Sequence, residues 1–444
     1  MRRVMAGVGV AVLALSMAAC SSGGSGDASS SGNESGGGSD SSAKPWDGDA
    51  SEVDVVTWWE AGSEKEGLQA LQTVFEQKFP DTKFVNAAIA GGGGSQAKQK
   101  LAADLAAGNP PDTFQAHAGA ELSDYIDAGQ IEDLSGLYDE LGLRDVFPKS
   151  LIDRLTVDGK IYSVPSNIHR ANMVWANPTV IKAAGLDPDK PATSIKDWIA
   201  DMGKIKAAGY TPITVGQAWT QTQLLENVLI SELGAKAYTG LFDGSTKWDS
   251  AEVTQAVKDY ATIMSFTDSS LYSEDWEPAM QPVVDGKAAY NVMGDWAYLG
   301  LTSQGKKLGT DVIAFPTPGT EKIYDFLADS FTLPKGAKHP GGAKNWLETI
   351  SSKEGQTAFN SVKGSIPARN DLSADELAKF SDYQKGAMEA FKTDEIVSSI
   401  AHGAAVPASV SNAIGDALSK FAQGASDATQ LQSALVEATA DLAE

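Results

Sequence analysis

The chain has 444 residues, enough for more than one domain of ordinary size, and 42% of them are hydrophobic, ample material for a core. Its formal charge of −23 argues against binding nucleic acid, because phosphate contacts need Lys and Arg. Its one cysteine, Cys20, excludes an intrachain disulfide and any cysteine-based metal site.

The first twenty residues read as a targeting segment. Arg2 and Arg3 form a positive start, and Val4 to Leu15 form an apolar stretch too short for an ordinary membrane span. Met17-Ala18-Ala19-Cys20 places small residues before the cysteine and resembles a bacterial lipobox, which implies a signal peptide over 1–19 and a lipid on Cys20. Residues 20–44 are mostly Ser, Gly, Asp and Ala. Such a tract behaves as a flexible tether with a reach of about 25–30 Å. The expected body is therefore residues 45–444, working at the extracytoplasmic face of a cell membrane without being locked to it.

Val53, Val55 and Thr57 alternate with Asp54 and Val56, which predicts a half-buried strand ending in Trp58-Trp59. Neighbouring strand side chains face opposite ways, so one indole is expected in the core and one in a crevice. Leu68, Leu71, Phe75 and Phe79, spaced by three and four residues, mark one apolar helix face that Pro80 stops. A second strand follows over 82–87. Gly91-Gly92-Gly93-Gly94-Ser95 lacks the lysine of a phosphate-binding loop and reads as a turn or lip, before a helix to Ala107. After Asn109-Pro110-Pro111-Asp112, Thr113 to His117 predicts a strand with Gln115 and His117 on one side.

Asp158-Gly159 predicts a hairpin turn. Extended runs are expected at 162–165 and 168–175. Long helices follow at 194–208 and 221–233, then strands at 288–294, 311–316 and 324–333. Asp295 is placed to cap the helix after it, and the remainder is mostly helical. An order of mixed, helical, mixed and helical segments predicts an α/β protein of two lobes whose connections cross more than once.

Three site chemistries suit different residues. A metal centre is poorly served by four histidines (117, 169, 339, 402), of which His117 pairs only with Glu121 four residues on. Glycoside hydrolysis needs two carboxyls flanking one bond, and with 58 acidic residues some pair always qualifies. Sugar binding asks for aromatic faces and planar polar side chains. Trp58, Trp59, Trp219, Trp276 and Trp296 each sit beside polar residues at the ends of expected elements.

Several motifs then come together: Trp58-Trp59 with Glu64, the run Pro111 to Gly119, Ser163-Val164-Pro165, Asn167 to Arg170, Asn291 to Trp296, Asp329-Ser330-Phe331, Lys363-Gly364-Ser365 and His402-Gly403-Ala404. From about residue 53 the chain resembles the extracellular sugar-binding proteins of ABC importers, the family-1 solute-binding group, nearest its glucose/galactose branch. The resemblance implies a two-lobed α/β clamp, like periplasmic binding proteins, with multiple hinge crossings. It implies lobe 1 over about 45–165 and 310–370, and lobe 2 over about 166–309 and 371–444. It places Trp58, Trp59, Glu64, Gln115, His117, Trp276, Trp296, Asp329, Lys363 and His402 at a monosaccharide such as glucose or galactose, with Trp219 near the mouth and His169 and Arg170 left to interlobe packing. The first motif is one residue longer than the family pattern. No cofactor or metal and no catalysis are expected, and the partners would be the sugar and the subunits of a membrane permease, with the receptor itself a monomer. A lipid-anchored glycosidase and a sugar sensor for a receptor kinase are the alternatives.

Overall fold

A computed structural model describes residues 43–60 and 62–443. The expected signal peptide, Cys20 and the tether as far as residue 42 lie outside the described residues. The folded unit is Lys44–Glu444, an α/β structure of two lobes, each built on its own sheet.

The first lobe grows from the strand Glu52–Val56, whose Val53 and Val55 are fully buried while Asp54 is half-buried. It pairs in parallel with Lys83–Asn86 on one side and Thr113–His117 on the other. The sheet order is Lys83–Asn86, Glu52–Val56, Thr113–His117, Asp329–Thr332, Val164–Pro165. Helix Gly62–Lys78 covers it with the expected face, burying Leu68, Leu71 and Phe75. Phe75 and Phe84 both meet the ring of Trp346, at centroid distances of 5.9 and 5.4 Å. The hairpin at Asp158-Gly159 forms as expected: both residues have positive φ, 49° and 76°, as a two-residue type I′ turn requires.

The second lobe has the sheet order Ile313–Pro316, Met173–Ala176, Ala288–Val292, Thr211–Thr214. Its core takes Trp198 and Met202 from helix Ile195–Ala207, Val228 and Leu229 from Ala218–Thr239, and Leu418 and Leu431 from the C-terminal helices.

A third, small sheet joins them, in the order Glu395–Ser398, Ile323–Leu327, His169–Arg170. The run expected as one strand over 324–333 is thus two: Ile323–Leu327 lies in the joining sheet, and past Ala328 the chain enters the first lobe as Asp329–Thr332. The run 168–175 divides in the same way between His169–Arg170 and Met173–Ala176 of the second lobe. Asn172, fully buried at that break, uses its whole amide: Nδ2 donates to the Ile323 carbonyl (2.8 Å) and Thr320 Oγ1 (2.9 Å), and Oδ1 accepts from Arg170 Nε (3.0 Å) and the Asp325 N–H (3.1 Å). A buried amide so satisfied holds the crossing strands in register.

Two expectations are corrected. The lobe boundaries at 310 and 371 both fall later: Ile313–Pro316 pairs with Met173–Ala176 in the second lobe, whereas helix Asp382–Thr393 packs Ala387 and Phe391 into the first lobe's core. Asp295 does not cap helix Ala297–Thr302, which has no side-chain cap. Its carboxylate instead accepts from His169 Nδ1 and from the Arg170 N–H (3.1 Å). A buried histidine nearby offers the carboxylate a stronger, charged partner than a backbone amide.

Candidate functional site

The carboxyl ends of the first lobe's parallel strands point at the joining sheet, the position where open α/β sheets bind ligands. The two tryptophans after Val56 part company there. Trp59 turns into the core against Phe359 and Phe331, at 4.7 and 5.7 Å. Trp58 faces a cavity, with its ring 5.2 Å from that of His117. Its seat depends on Gly94, which has a φ of 91°; a Cβ there would lie 2.6 Å from the Trp58 ring.

The cavity is small and partly open to solvent. Trp58, Glu64, His117, Asp329, Lys363 and Gly93 line it from the first lobe; Trp219, Trp276 and Trp296 line it from the second; His169, Leu327, Ala401 and His402 complete it from the joining segments. The glycine turn of the first lobe lies against the Trp219 indole of the second, so the lobes are closed over this space. Asp275 ties two of the tryptophans together, accepting from the Trp276 N–H (2.9 Å) and from Trp219 Nε1 (3.3 Å). Trp296 lies flat over Gly294, where a Cβ would fall 2.1 Å from its ring.

The polar groups form a chain across the floor. Strand pairing sets Asp329 directly opposite His117. Asp329 accepts from Gln115 Nε2 (2.9 Å) and Asn167 Nδ2 (2.7 Å), and its Oδ2 is 3.3 Å from His169 Nε2. Burial alone would raise its pKa, but His169, Lys363 and His117 together hold it well below the usual carboxylate range. Burial would likewise depress His169, yet Asp295 and Asp329 outweigh it and raise the ring to about 9. His117 Nδ1 is 2.7 Å from Glu121, which also takes Lys98 at 2.9 Å. Against burial, Lys98 and the hydrogen-bonded His117 hold Glu121 down to about 2. The His117–Glu121 pair that looks like half a metal site in sequence is a hydrogen-bonded strut, and among the described residues no group of three or more His, Cys, Asp or Glu could hold a metal. Lys363, almost fully buried, pairs with Glu64 and sits 5.6 Å over the Trp59 ring.

Of the ten expected site residues, eight line the cavity. Trp59 and Gln115 do not. Trp59 stands behind Lys363, and Gln115 lies under Asp329 with its carbonyl toward Thr57. The extra residue in the first motif does not displace Glu64, because helix Gly62–Lys78 starts early enough to carry it inward. His169, set aside as interlobe packing, lines the cavity. Its cue in sequence was the alternation of polar residues around it, which does not say which side of the strand meets the cleft.

The imidazolium of His169 has a thermodynamic consequence. Its pKa rises from 6.5 to about 9 on folding, so the folded state holds the extra proton and gains stability that is complete below pH ~6.5 and lost as pH climbs through ~9. The contribution is on the order of 3 kcal/mol at its fullest. In denaturant titrations the stability difference between the wild type and His169→Gln should therefore shrink between pH 6 and pH 9.5. A difference that stays flat over that range would remove the charge from His169.

A family model described as bacterial extracellular solute-binding protein matches residues 61–357. That spans most of the folded unit. The chain belongs to the bacterial extracellular solute-binding proteins. An uncharacterized ABC transporter extracellular-binding protein of Pyrococcus horikoshii is 35% identical over 84% of this chain and 83% of its own. A probable sugar-binding periplasmic protein of Mesorhizobium japonicum is 32% identical over 85% and 90%. Among solved structures, a chitin oligosaccharide binding protein superposes with a TM-score of 0.77 at 20% identity, covering 89% of this chain and all of that one. This last similarity is one of fold. In a solute-binding protein the closed cavity between two lobes is the place for the solute.

Proposed function

We propose that this solute-binding protein is the sugar receptor of an ABC importer, that its solute is a monosaccharide such as glucose or galactose, and that a lipid on Cys20 tethers it to the outer face of the cell membrane. The observation that carries the reading is the lining of the cavity between the lobes. Four tryptophans supply flat apolar walls for the C–H faces of a pyranose, while Glu64, Asp329, Lys363, His117 and His402 supply donors and acceptors for its hydroxyls. Both carboxylates are already committed, Glu64 to Lys363 and Asp329 to Gln115 and Asn167. They can accept from hydroxyls, which suits capture. The names of the Mesorhizobium relative and of the structural neighbour both point to saccharides.

Capture would work by population shift. The first lobe contributes Trp58, Glu64 and Asp329 and the second Trp219, Trp276 and Trp296, so only the closed form satisfies the sugar from both sides. The closed form then docks on the permease and releases its load, with no bond made or broken.

Isothermal titration against glucose, galactose, mannose, xylose, N-acetylglucosamine and cellobiose tests this. One monosaccharide bound tightly and recovered unchanged is the expected result. A disaccharide preferred over every monosaccharide would overturn the single-sugar reading, and cleavage of the disaccharide would overturn the receptor itself. For the anchor, Cys20→Ala should move the protein from the membrane fraction to the medium, and retention at the membrane would refute lipidation there.

A further inference from the structure

Behind the cavity lies a buried group of polar residues that the capture of a sugar does not by itself require. Glu226, on helix Ala218–Thr239, is fully buried. Its Oε2 accepts from the backbone N–H groups of Ile400 (2.7 Å) and Ala401 (2.9 Å), and both carboxylate oxygens lie 3.0 Å from Ser399 Oγ. The same hydroxyl oxygen is 2.9 Å from His402 Nδ1 and accepts from the His402 N–H at 3.2 Å. On the ring's far side, Nε2 is buried and has no hydrogen-bond partner, while the ring lines the cavity.

Counting hydrogens decides the arrangement. Ser399 has one hydroxyl proton, and it sits between a carboxylate and an imidazole nitrogen. A carboxylate can only accept, so the proton goes to Glu226. Ser399 Oγ can then only accept from Nδ1, which must carry the ring's proton. Nε2 is left with a lone pair aimed at the ligand.

We propose that Glu226 is a positioning residue: acting through Ser399, it sets the tautomer of His402 so that Nε2 is an acceptor, and the bound sugar must donate a hydroxyl there. This inference rests on the sugar-binding reading for its ligand, but the tautomer is a property of the unliganded protein.

The surroundings agree. Asp325, buried on the joining strand Ile323–Leu327, faces Glu226, and two buried carboxyls so close cannot both ionise. Burial raises both, and Asp325 is raised further because its oxygens receive no donor while Glu226 receives three. Asp325 therefore holds the shared proton, and Glu226, raised to about 7, carries the charge above that pH. Arg170 faces Asp325 and Tyr238 faces Glu226 without changing that order. His402 is held neutral: burial and the neighbouring His117 push its pKa well below the ordinary value, against a smaller opposing pull from Asp329.

The test uses the full chain labelled with ¹⁵N-histidine, at pH 8 to keep Glu226 ionised and without sugar, with His402 assigned by comparison with His402→Gln. The wild type should show a protonated Nδ1 and a bare Nε2. In Glu226→Gln the amide oxygen can keep Ile400 and Ala401 while the amide N–H₂ donates to Ser399; its hydroxyl proton then turns to Nδ1, and the ring pattern should invert. Ser399→Ala leaves the Glu226 backbone contacts in place and should give a mixture of tautomers, which keeps the question decidable if Glu226→Gln does not fold. A proton on Nε2 in the wild type, or Nδ1–H retained in Ser399→Ala, overturns the proposal. With the preferred monosaccharide, fluorine in place of one hydroxyl should cost the wild type about 10- to 100-fold in affinity, because an acceptor cannot satisfy a bare Nε2. Glu226→Gln should lose less than about 3-fold for the same change. Equal losses in the two proteins would overturn the link to specificity. Failure of every sugar to bind would refute the sugar reading and leave the tautomer measurement standing.

Discussion

Asp329→Asn should weaken binding of the preferred sugar by about 10- to 100-fold, the cost of replacing a charge-assisted hydrogen bond by a neutral one. The same substitution should also lower stability by about 3–5 kcal/mol, because it removes one partner of a buried ion pair. Asp329 receives Gln115 and Asn167 and faces the His169 imidazolium, all of them buried. An amide at 329 leaves that cation with Asp295 alone, and its N–H₂ must point at one of the donors it used to satisfy. Titration calorimetry reads the first effect and denaturant midpoints at pH 6 read the second. An affinity within 3-fold of wild type would mean that Asp329 organises the floor without touching the sugar.

Trp296→Ala should reduce affinity by 100-fold or more while leaving the first lobe's core intact. The indole meets His169 at 5.1 Å, His402 at 5.2 Å and Trp219 at 6.2 Å. Its removal opens a wall of the cavity and also frees the rings that hold polar atoms in place. Truncating a buried Trp costs about 3–5 kcal/mol in a core, and here part of that cost falls on the closed form, which alone brings Trp296 opposite Trp58. Phe at the same position should restore most of the affinity, since the face matters more than the N–H. If Trp296→Phe binds as poorly as Trp296→Ala, the contribution is a hydrogen bond and the stacking account is wrong.

What local sequence determined was the set of elements. The 3–4 spacing of Leu68, Leu71 and Phe75 requires a helix with one buried face whatever it packs on. Alternation at Val53 and Val55 requires a strand, and Asp158-Gly159 requires a tight hairpin. The family resemblance carried by the motifs implied a shared site for Trp58, Glu64, His117, Trp276, Trp296, Asp329, Lys363 and His402, and these eight line one cavity. The two adjacent tryptophans were expected to face opposite ways, and they do.

Which of the two faces the cavity was decided by tertiary structure alone. Trp59 is drawn inward by Phe359 and Phe331, which lie 300 and 272 residues further along the chain. His169 shows the same limit. Its side depends on where the chain leaves one sheet for the next, and that break is set by Asn172 binding the backbone at Ile323 and Asp325. The lobe boundaries moved for the same reason, because strand pairing between distant segments assigns Ile313–Pro316 to one sheet and Asp329–Thr332 to another. Periodicity is a property of neighbours in the chain, so sequence could supply the elements. Partners across a sheet are chosen by the hydrogen bonds and buried surface of segments far apart, and those exist only once the chain has folded.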